Sequence, residues 1–258
     1  ALLLSDTRPF ALSQFLRRRV LKVVVPFLVF SIAYAVLAGA SAGGYDMQLS
    51  WQAIRKLPSE ETYYHLGFFY YFIPLYLLIP LLRPLLGVPA AGAVLVCGWM
   101  LLATMRLVGT SGPWDIDIVM YGGYLVLGWL LWRYRPPLVF VMALALVVLV
   151  ASDWLVIEKS IEANRYRTGL YYSYKTINTV ILASGVFLGC IAITARLGDG
   201  SMRAVRAVAR HSLGIYLLHP LFLWPARTFD LYASPGLLFV FFWALVSGGL
   251  AYTGSVLL

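Results

Sequence analysis

A chain of 258 residues that is 61% hydrophobic and only 12% charged departs from soluble domains, in which roughly a quarter of residues are charged, and is read as a polytopic membrane protein. A net charge of +9 suggests nucleic acid in a soluble protein. Here a positive-inside bias accounts for it, no basic-aromatic nucleic-acid motif accompanies it, and nucleic acid is excluded as a partner. The cysteines, Cys97 and Cys190, both lie inside apolar runs, so neither a disulfide framework nor a metal site is indicated.

In chain order, Ala1–Leu4 reads as the tail of an earlier apolar segment, with no signal-peptide pattern after it. The other end, Gly248 to Leu258, stops inside an apolar run. The expectation is one integral-membrane domain over residues 1–258, truncated at its N-terminus and also at its C-terminus. Eight apolar stretches follow, at roughly 20–38, 66–82, 89–108, 116–132, 137–154, 170–194, 211–226 and 236–258, each near the ~20 residues that cross a bilayer. The fifth and seventh are short. The predicted fold is therefore all-α, a polytopic transmembrane helix bundle. Pro26, Pro74, Pro80 and Pro220 predict kinks, while Gly122, Gly123, Gly128, Gly185 and Gly189 predict close helix contacts.

Alternating the sides of eight spans segregates the charge. Arg8, Arg17, Arg18, Arg19, Lys22, Arg83, Arg133, Arg135, Arg196, Arg203, Arg206 and Arg210 fall on one face, with Asp6 and Asp199 as its only acids. The other face takes the remaining cations, including Arg106 and Lys175, and the acids Asp46, Glu60, Glu61, Asp115, Asp117, Asp153, Glu158, Glu162 and Asp230. The basic face is the cytoplasmic one, which places residues 1–19 in the cytoplasm. Two main outer loops, about 39–65 and 155–169, carry Trp51, Tyr63, Tyr64 and Tyr166, as an interfacial aromatic belt does. No solenoid repeat or inverted transporter repeat is visible.

The cations Arg17, Arg18, Arg19 and Lys22 stand within six residues at the head of the first stretch. On a helix Arg18 and Lys22, and Arg19 and Lys22, share a face. Two readings stand: an anchor on lipid phosphates, or a clamp for an anionic cytosolic ligand, since arginine forks suit phosphate oxygens. Arg203, Arg206 and Arg210 line one face of a short amphipathic segment on the same side of the membrane, where lipid phosphate is the plainer ligand. His219 lies inside a span, and ionisable groups there default to functional hypotheses; a neutral histidine hydrogen-bonded between helices is the alternative. Tyr216 and Ser212 lie one and two turns back on its face. His65 opens the second stretch, with a structural or a catalytic role, and His211 reads as solvated at the cytoplasmic edge. HExxH, Walker A and GxSxG motifs are absent. Glu60-Glu61 and Asp115-x-Asp117 have the chemistry to ligate a cation, but isolated loop acids usually face water, and no metal is expected.

Four pieces in order resemble the acyltransferase 3 family of integral-membrane acyltransferases, closest to the branch that acetylates bacterial surface polysaccharides. They are Phe15-Leu16-Arg17-Arg18-Arg19-Val20-Leu21-Lys22-Val23-Val24-Val25-Pro26; His65-Leu66-Gly67-Phe68-Phe69-Tyr70 continuing to Tyr76-Leu77-Leu78-Ile79-Pro80-Leu81-Leu82-Arg83-Pro84; Tyr121-Gly122-Gly123-Tyr124-Leu125-Val126-Leu127-Gly128; and Ser212-Leu213-Gly214-Ile215-Tyr216-Leu217-Leu218-His219-Pro220. The resemblance implies about ten membrane helices, the first two upstream of Ala1, with the main catalytic histidine on the first. It implies no bound cofactor. The donor is acetyl-CoA or another acyl-CoA, with acetyl as the expected group, and the acceptor a hydroxyl of a surface glycan or lipid-linked saccharide. The paired basic residues of the family map onto Arg19 and Lys22, the second being more often arginine in relatives; Gly67 stands where many relatives have tryptophan.

The expected donor-binding set is Arg18, Arg19 and Lys22, with Tyr216, Arg203 and Arg206 supporting; His219 and His65 are the catalytic candidates within the chain. The expected location is the bacterial inner membrane, with membrane lipids as further partners and self-association into a homo-oligomer left open. Two other classes compete: a transporter or flippase of a lipid-linked sugar or small anion using the same cations, and a non-catalytic partner in a polysaccharide-assembly complex.

Overall fold

The computed structural model describes residues 3–6, 10–41, 44–88, 90–228 and 236–257; Ala1, Arg8, Asp230 and Leu258 lie outside them. The described chain is helical almost throughout. Helix α1 (Leu12–Arg19) passes through a π-helical turn (Val20–Val24) into α2 (Val25–Leu37). A hairpin of two-residue strands, β1 (Ala40–Ser41) and β2 (Gly44–Tyr45), leads to α3 (Met47–Lys56). A 3-10 turn (Tyr64–Leu66) opens α4 (Gly67–Leu85), and α5 (Ala91–Leu107), α6 (Asp117–Tyr134), α7 (Leu138–Glu162) and α8 (Ile177–Thr194) follow. The chain continues through α9 (Asp199–Arg210), α10 (Ser212–Thr228) and α11 (Leu237–Leu257).

Each of the eight apolar stretches forms a helix. Among the described residues five helical segments are long and apolar enough to cross a membrane, namely Leu12–Leu37, Tyr64–Leu85, Leu138–Glu162, Ile177–Thr194 and Leu238–Leu257. Ala91–Leu107 and Ser212–Trp224 are apolar but shorter, and α6 is diluted by Asp117, Arg133 and its tyrosines. The fold is all-α and the protein is a multi-pass membrane protein. On α7, Val139 and Phe140 are 80% and 79% exposed, as side chains facing lipid are.

The structure corrects several boundaries. The fifth stretch, read as short, forms a long helix: α7 runs 25 residues to Glu162 and absorbs half of the expected loop 155–169. Its polar end holds because Lys159 and Glu162 pair at 2.8 Å one turn apart. The sixth stretch becomes helical only at Ile177, after a turn region. The loop 39–65 contains the hairpin and α3. The π-helical turn at Val20–Val24 breaks the 3.6-residue phase that placed Lys22 on one face with Arg18 and Arg19.

The chain divides into two compact units, residues 1–19 with 70–196, and residues 20–69 with 197–258. The first is cored by Ile79, Val96, Trp99, Ala103, Met120, Val126, Trp129, Val180 and Leu188. Lipid tails are as apolar as these side chains, so close packing and interhelical hydrogen bonds hold such a core rather than water exclusion. Trp99 supplies both: its indole N–H donates to the Met120 carbonyl at 2.9 Å, and its ring lies where a Cβ on Gly123 would stand, 2.0 Å away. Gly185 likewise brings α8 against α7, a Cβ there falling 2.9 Å from the Ala145 methyl. At one end of this unit Asp115 pairs with Arg106, and Lys175 binds Asp117 at 2.7 Å and Asp115 at 3.9 Å. These acids, read as facing water, belong to an ion-pair network that ties the α5–α6 connection to the head of α8.

In the second unit α3 is fastened to the end of α2. Asp46 caps it, accepting from the Gln48 and Leu49 N–H groups at 2.8 and 3.4 Å. Ser50 donates to the Val36 carbonyl at 3.0 Å. Gly39 permits the approach, since a Cβ there would stand 2.3 Å from the Asp46 carbonyl oxygen. Helices α10 and α11 pack closely at Gly214, whose Cβ would meet that of Ser255 at 2.6 Å.

Candidate functional site

Each unit holds a separate cluster of chemically capable side chains. In the first unit a cavity of about 270 Å³ is lined, among the described residues, by Asp6, Phe10, Gln14, Arg18, Arg19 and Arg83, together with Leu3, Ala11 and Phe15. Helix α1 puts Phe15 and Arg19 one turn apart, and the Arg19 guanidinium lies over the Phe15 ring at 5.3 Å and over the Tyr76 ring of α4 at 5.1 Å. Arg83, at the far end of α4, lies over Phe10 at 4.9 Å and donates to the Asp6 carbonyl. A guanidinium laid on an aromatic face keeps its charge at little desolvation cost and leaves its N–H edge free to meet an anion. The Arg19 Nε is buried with no hydrogen-bond partner among the described residues. Buried donors are almost always satisfied, so this one marks a place for an acceptor.

In the second unit His65, 5% exposed, sits in a box of rings. Tyr34, Tyr63, Tyr64, Tyr216 and His219 have centroids 5.1, 5.7, 5.6, 5.5 and 5.7 Å from it. Neither of its ring nitrogens has a hydrogen-bond partner among the described residues. The frame around it is bonded: Tyr216 donates to the His65 carbonyl at 2.6 Å, and Tyr34 donates to the Leu217 carbonyl at 2.8 Å. The backbone of His65 is thus fixed while its imidazole is left unpaired. His219 Nδ1 lies 2.8 Å from the Tyr216 carbonyl on its own helix, a contact that spends one of its nitrogens on the backbone.

The expected residues separate accordingly. Arg18 and Arg19 come together in the first unit, where Arg83 joins them. Lys22, exposed on the π-helical turn, belongs to the second. Arg203 and Arg206 lie exposed on α9, which is helical as its spacing predicted. His65, His219 and Tyr216 are gathered into one cluster. His211 is a correction: read as solvated, it is half-buried, with Nδ1 3.0 Å from the Ser255 carbonyl and its ring against Tyr252. Sequence reasoning missed Arg83, although it stands on the same charge face as Arg18 and within the quoted motif. It also missed Phe10, Tyr76, Tyr34 and Tyr63 as partners, for which only aromatic content signalled.

The chain matches the family of the Acyltransferase domain, acyltransferase 3, over residues 1–258. No curated protein and no solved structure matches it. With the match spanning every residue, the chain belongs to the acyltransferase 3 family and is an acyltransferase.

Proposed function

We propose that this acyltransferase moves an acyl group, acetyl foremost, from cytosolic acyl-CoA to a hydroxyl of a surface glycan or lipid-linked saccharide, in the inner membrane of a bacterium. The observation that carries the donor half is the three-arginine cavity. Acyl-CoA presents a diphosphate and a further phosphate. Arg18, Arg19 and Arg83 offer forked donors to such oxygens, and the unpaired Arg19 Nε awaits one. The charge segregation read from the sequence supports a cytoplasmic position for this cavity, the side on which acyl-CoA is made. Lys22 adds a point charge nearby in sequence, and Arg203 and Arg206 on exposed α9 are assigned to lipid phosphates.

In the transfer the acceptor oxygen attacks the thioester carbonyl carbon and the carbon–sulfur bond breaks. A base takes the hydroxyl proton, and coenzyme A leaves as thiolate and is protonated. The resemblance assigns that base to a histidine upstream of Ala1. Within the chain His65 has the freedom to hold a proton on the acceptor side, because both ring nitrogens are unengaged; Tyr216 positions it through its backbone.

The test is acetyl-CoA binding to the purified full-length protein. In the Arg19→Ala/Arg83→Ala double variant affinity falls about tenfold to a hundredfold, the scale of lost hydrogen bonds to charged groups, with thermal stability near that of wild type. Unchanged acetyl-CoA affinity in that variant overturns the assignment of the cavity.

A further inference from the structure

The second unit contains a cavity of about 370 Å³ that the donor chemistry does not use. It is lined by Tyr34, Tyr63 and Trp224, with Leu37, Ala38, Ala40 and Leu221 between them. We propose that this cavity is the subsite that holds a pyranose ring of the saccharide acceptor against an aromatic wall; the assignment rests on the glycan-acceptor reading given above.

Three observations converge on that occupant. First, the wall is built of ring faces that are held rigidly. Tyr34 and Tyr63 stack at 5.0 Å with planes 23° apart, and the Tyr34 hydroxyl is tied to the Leu217 carbonyl at 2.8 Å. An aromatic face is electronegative, and a pyranose offers it an apolar face of polarised C–H bonds while its hydroxyls point outward. Second, the described residues that line the cavity include no lysine or arginine, a lining that favours a neutral occupant over the phosphates of a donor. It lies at the small end of the roughly 300–1,000 Å³ range for small-molecule sites. The last turn of α2 (Leu37, with Ala38 and Ala40 beyond it) forms another side.

Third, the wall is shared. Tyr34 and Tyr63 line the cavity and also flank His65, with ring centroids 5.1 and 5.7 Å from its imidazole. The rings offered to the sugar are therefore the ones that pack around the buried imidazole, whose nitrogens have no hydrogen-bond partner among the described residues. Trp224, at the C-terminal part of α10, is the residue whose loss opens the cavity while leaving in place the rings that flank that imidazole.

The experiment uses the full-length protein in lipid nanodiscs and saturation-transfer NMR with methyl β-D-glucopyranoside, methyl α-D-mannopyranoside and methyl N-acetyl-β-D-glucosaminide as probes. At least one probe shows transfer to its ring protons. Trp224→Ala and Tyr63→Ala each weaken that transfer about tenfold, the scale of a lost aromatic contact, and Trp224→Phe and Tyr63→Phe retain most of it. Transfer that persists in both alanine variants, or is absent for all three probes, overturns the assignment. A probe-independent arm follows [14C]acetyl-CoA in membrane vesicles of the expressing cells. Trp224→Ala lowers incorporation into glycan while acetyl-CoA affinity stays at the wild-type value; incorporation at the wild-type rate also overturns the subsite. Wild-type protein that binds acetyl-CoA but no sugar defeats the subsite alone, whereas wild-type protein that fails to bind acetyl-CoA defeats the donor reading beneath it.

Discussion

The arginine cavity of the first unit and the histidine box of the second use the same material to opposite ends. In the first, Phe10, Phe15 and Tyr76 lie beneath guanidinium groups, so the rings orient permanent charge, and in the proposed function its hydrogen-bonding edge meets the donor. In the second, Tyr34, Tyr63, Tyr64 and Tyr216 close around one imidazole and keep partners away from it. Leaving a buried polar group unpaired costs about 1–3 kcal/mol. A fold tolerates that expense where the unpaired group works. The lesson is that similar aromatic shells set up different chemistry according to whether they enclose a guanidinium or an imidazole.

The largest expected effect separates the two regions. His65→Gln keeps the side chain's bulk and polarity but cannot carry the proton, so acyl transfer falls about 10²–10⁴-fold, the range of general acid–base catalysis. Acetyl-CoA affinity, measured on the same protein, stays within about twofold of wild type. Activity reduced less than about tenfold makes the box a packing device and removes the contrast. Arginine-to-lysine changes come next. Arg19→Lys and Arg83→Lys preserve charge but lose the flat stack and the fork, so the Michaelis constant for acetyl-CoA rises about tenfold in each while the maximal rate is kept. If lysine restores wild-type affinity, net charge is all the cavity supplies, and the rings beneath it do nothing specific.

How much of this was legible in the sequence depended on range. The eight helices were visible because apolar runs near bilayer length declare themselves residue by residue. The cluster of Tyr216 and His219 followed from helical spacing alone. The end of α7 at Glu162 was not visible, because its last turns are stabilised by a local ion pair rather than by apolarity. The π-helical turn that shifts Lys22 out of phase leaves no mark in composition. Arg83 carried a signal, its side of the membrane, but its partners Phe10 and Asp6 lie far off in the chain and only the fold brings them together. The unpaired state of His65 is a property of what surrounds it, and no single-residue pattern encodes an absent partner.

Packing offers a smaller test, on stability rather than activity. Gly123→Ala drives a Cβ into the Trp99 ring, and Gly214→Ala drives one against Ser255. Overpacking of this kind costs about 1–3 kcal/mol. A rigid indole also fixed by its N–H bond to Met120 yields less readily than a serine at a helix contact. Thermal unfolding in detergent is therefore lowered more by Gly123→Ala than by Gly214→Ala. Equal shifts indicate that the two units do not unfold separately.

The smallest expected change is Tyr34→Phe, and it is the most discriminating within the second unit. The variant deletes the hydroxyl that donates to Leu217 and retains the ring that stacks on Tyr63 and flanks His65. The carbonyl of Leu217 lies within helix α10, where the intrahelical bond still satisfies it, so the loss is confined to about 0.6–1.5 kcal/mol, as for other interhelical hydrogen bonds in membranes. If the ring face is what matters for acceptor binding, transfer activity in Tyr34→Phe stays within about threefold of wild type while Tyr34→Ala loses at least tenfold. A Phe variant as impaired as the Ala variant shifts the function of Tyr34 from its face to its hydroxyl. The second unit then resembles the first, with a bonded polar edge rather than an aromatic shield as its working part.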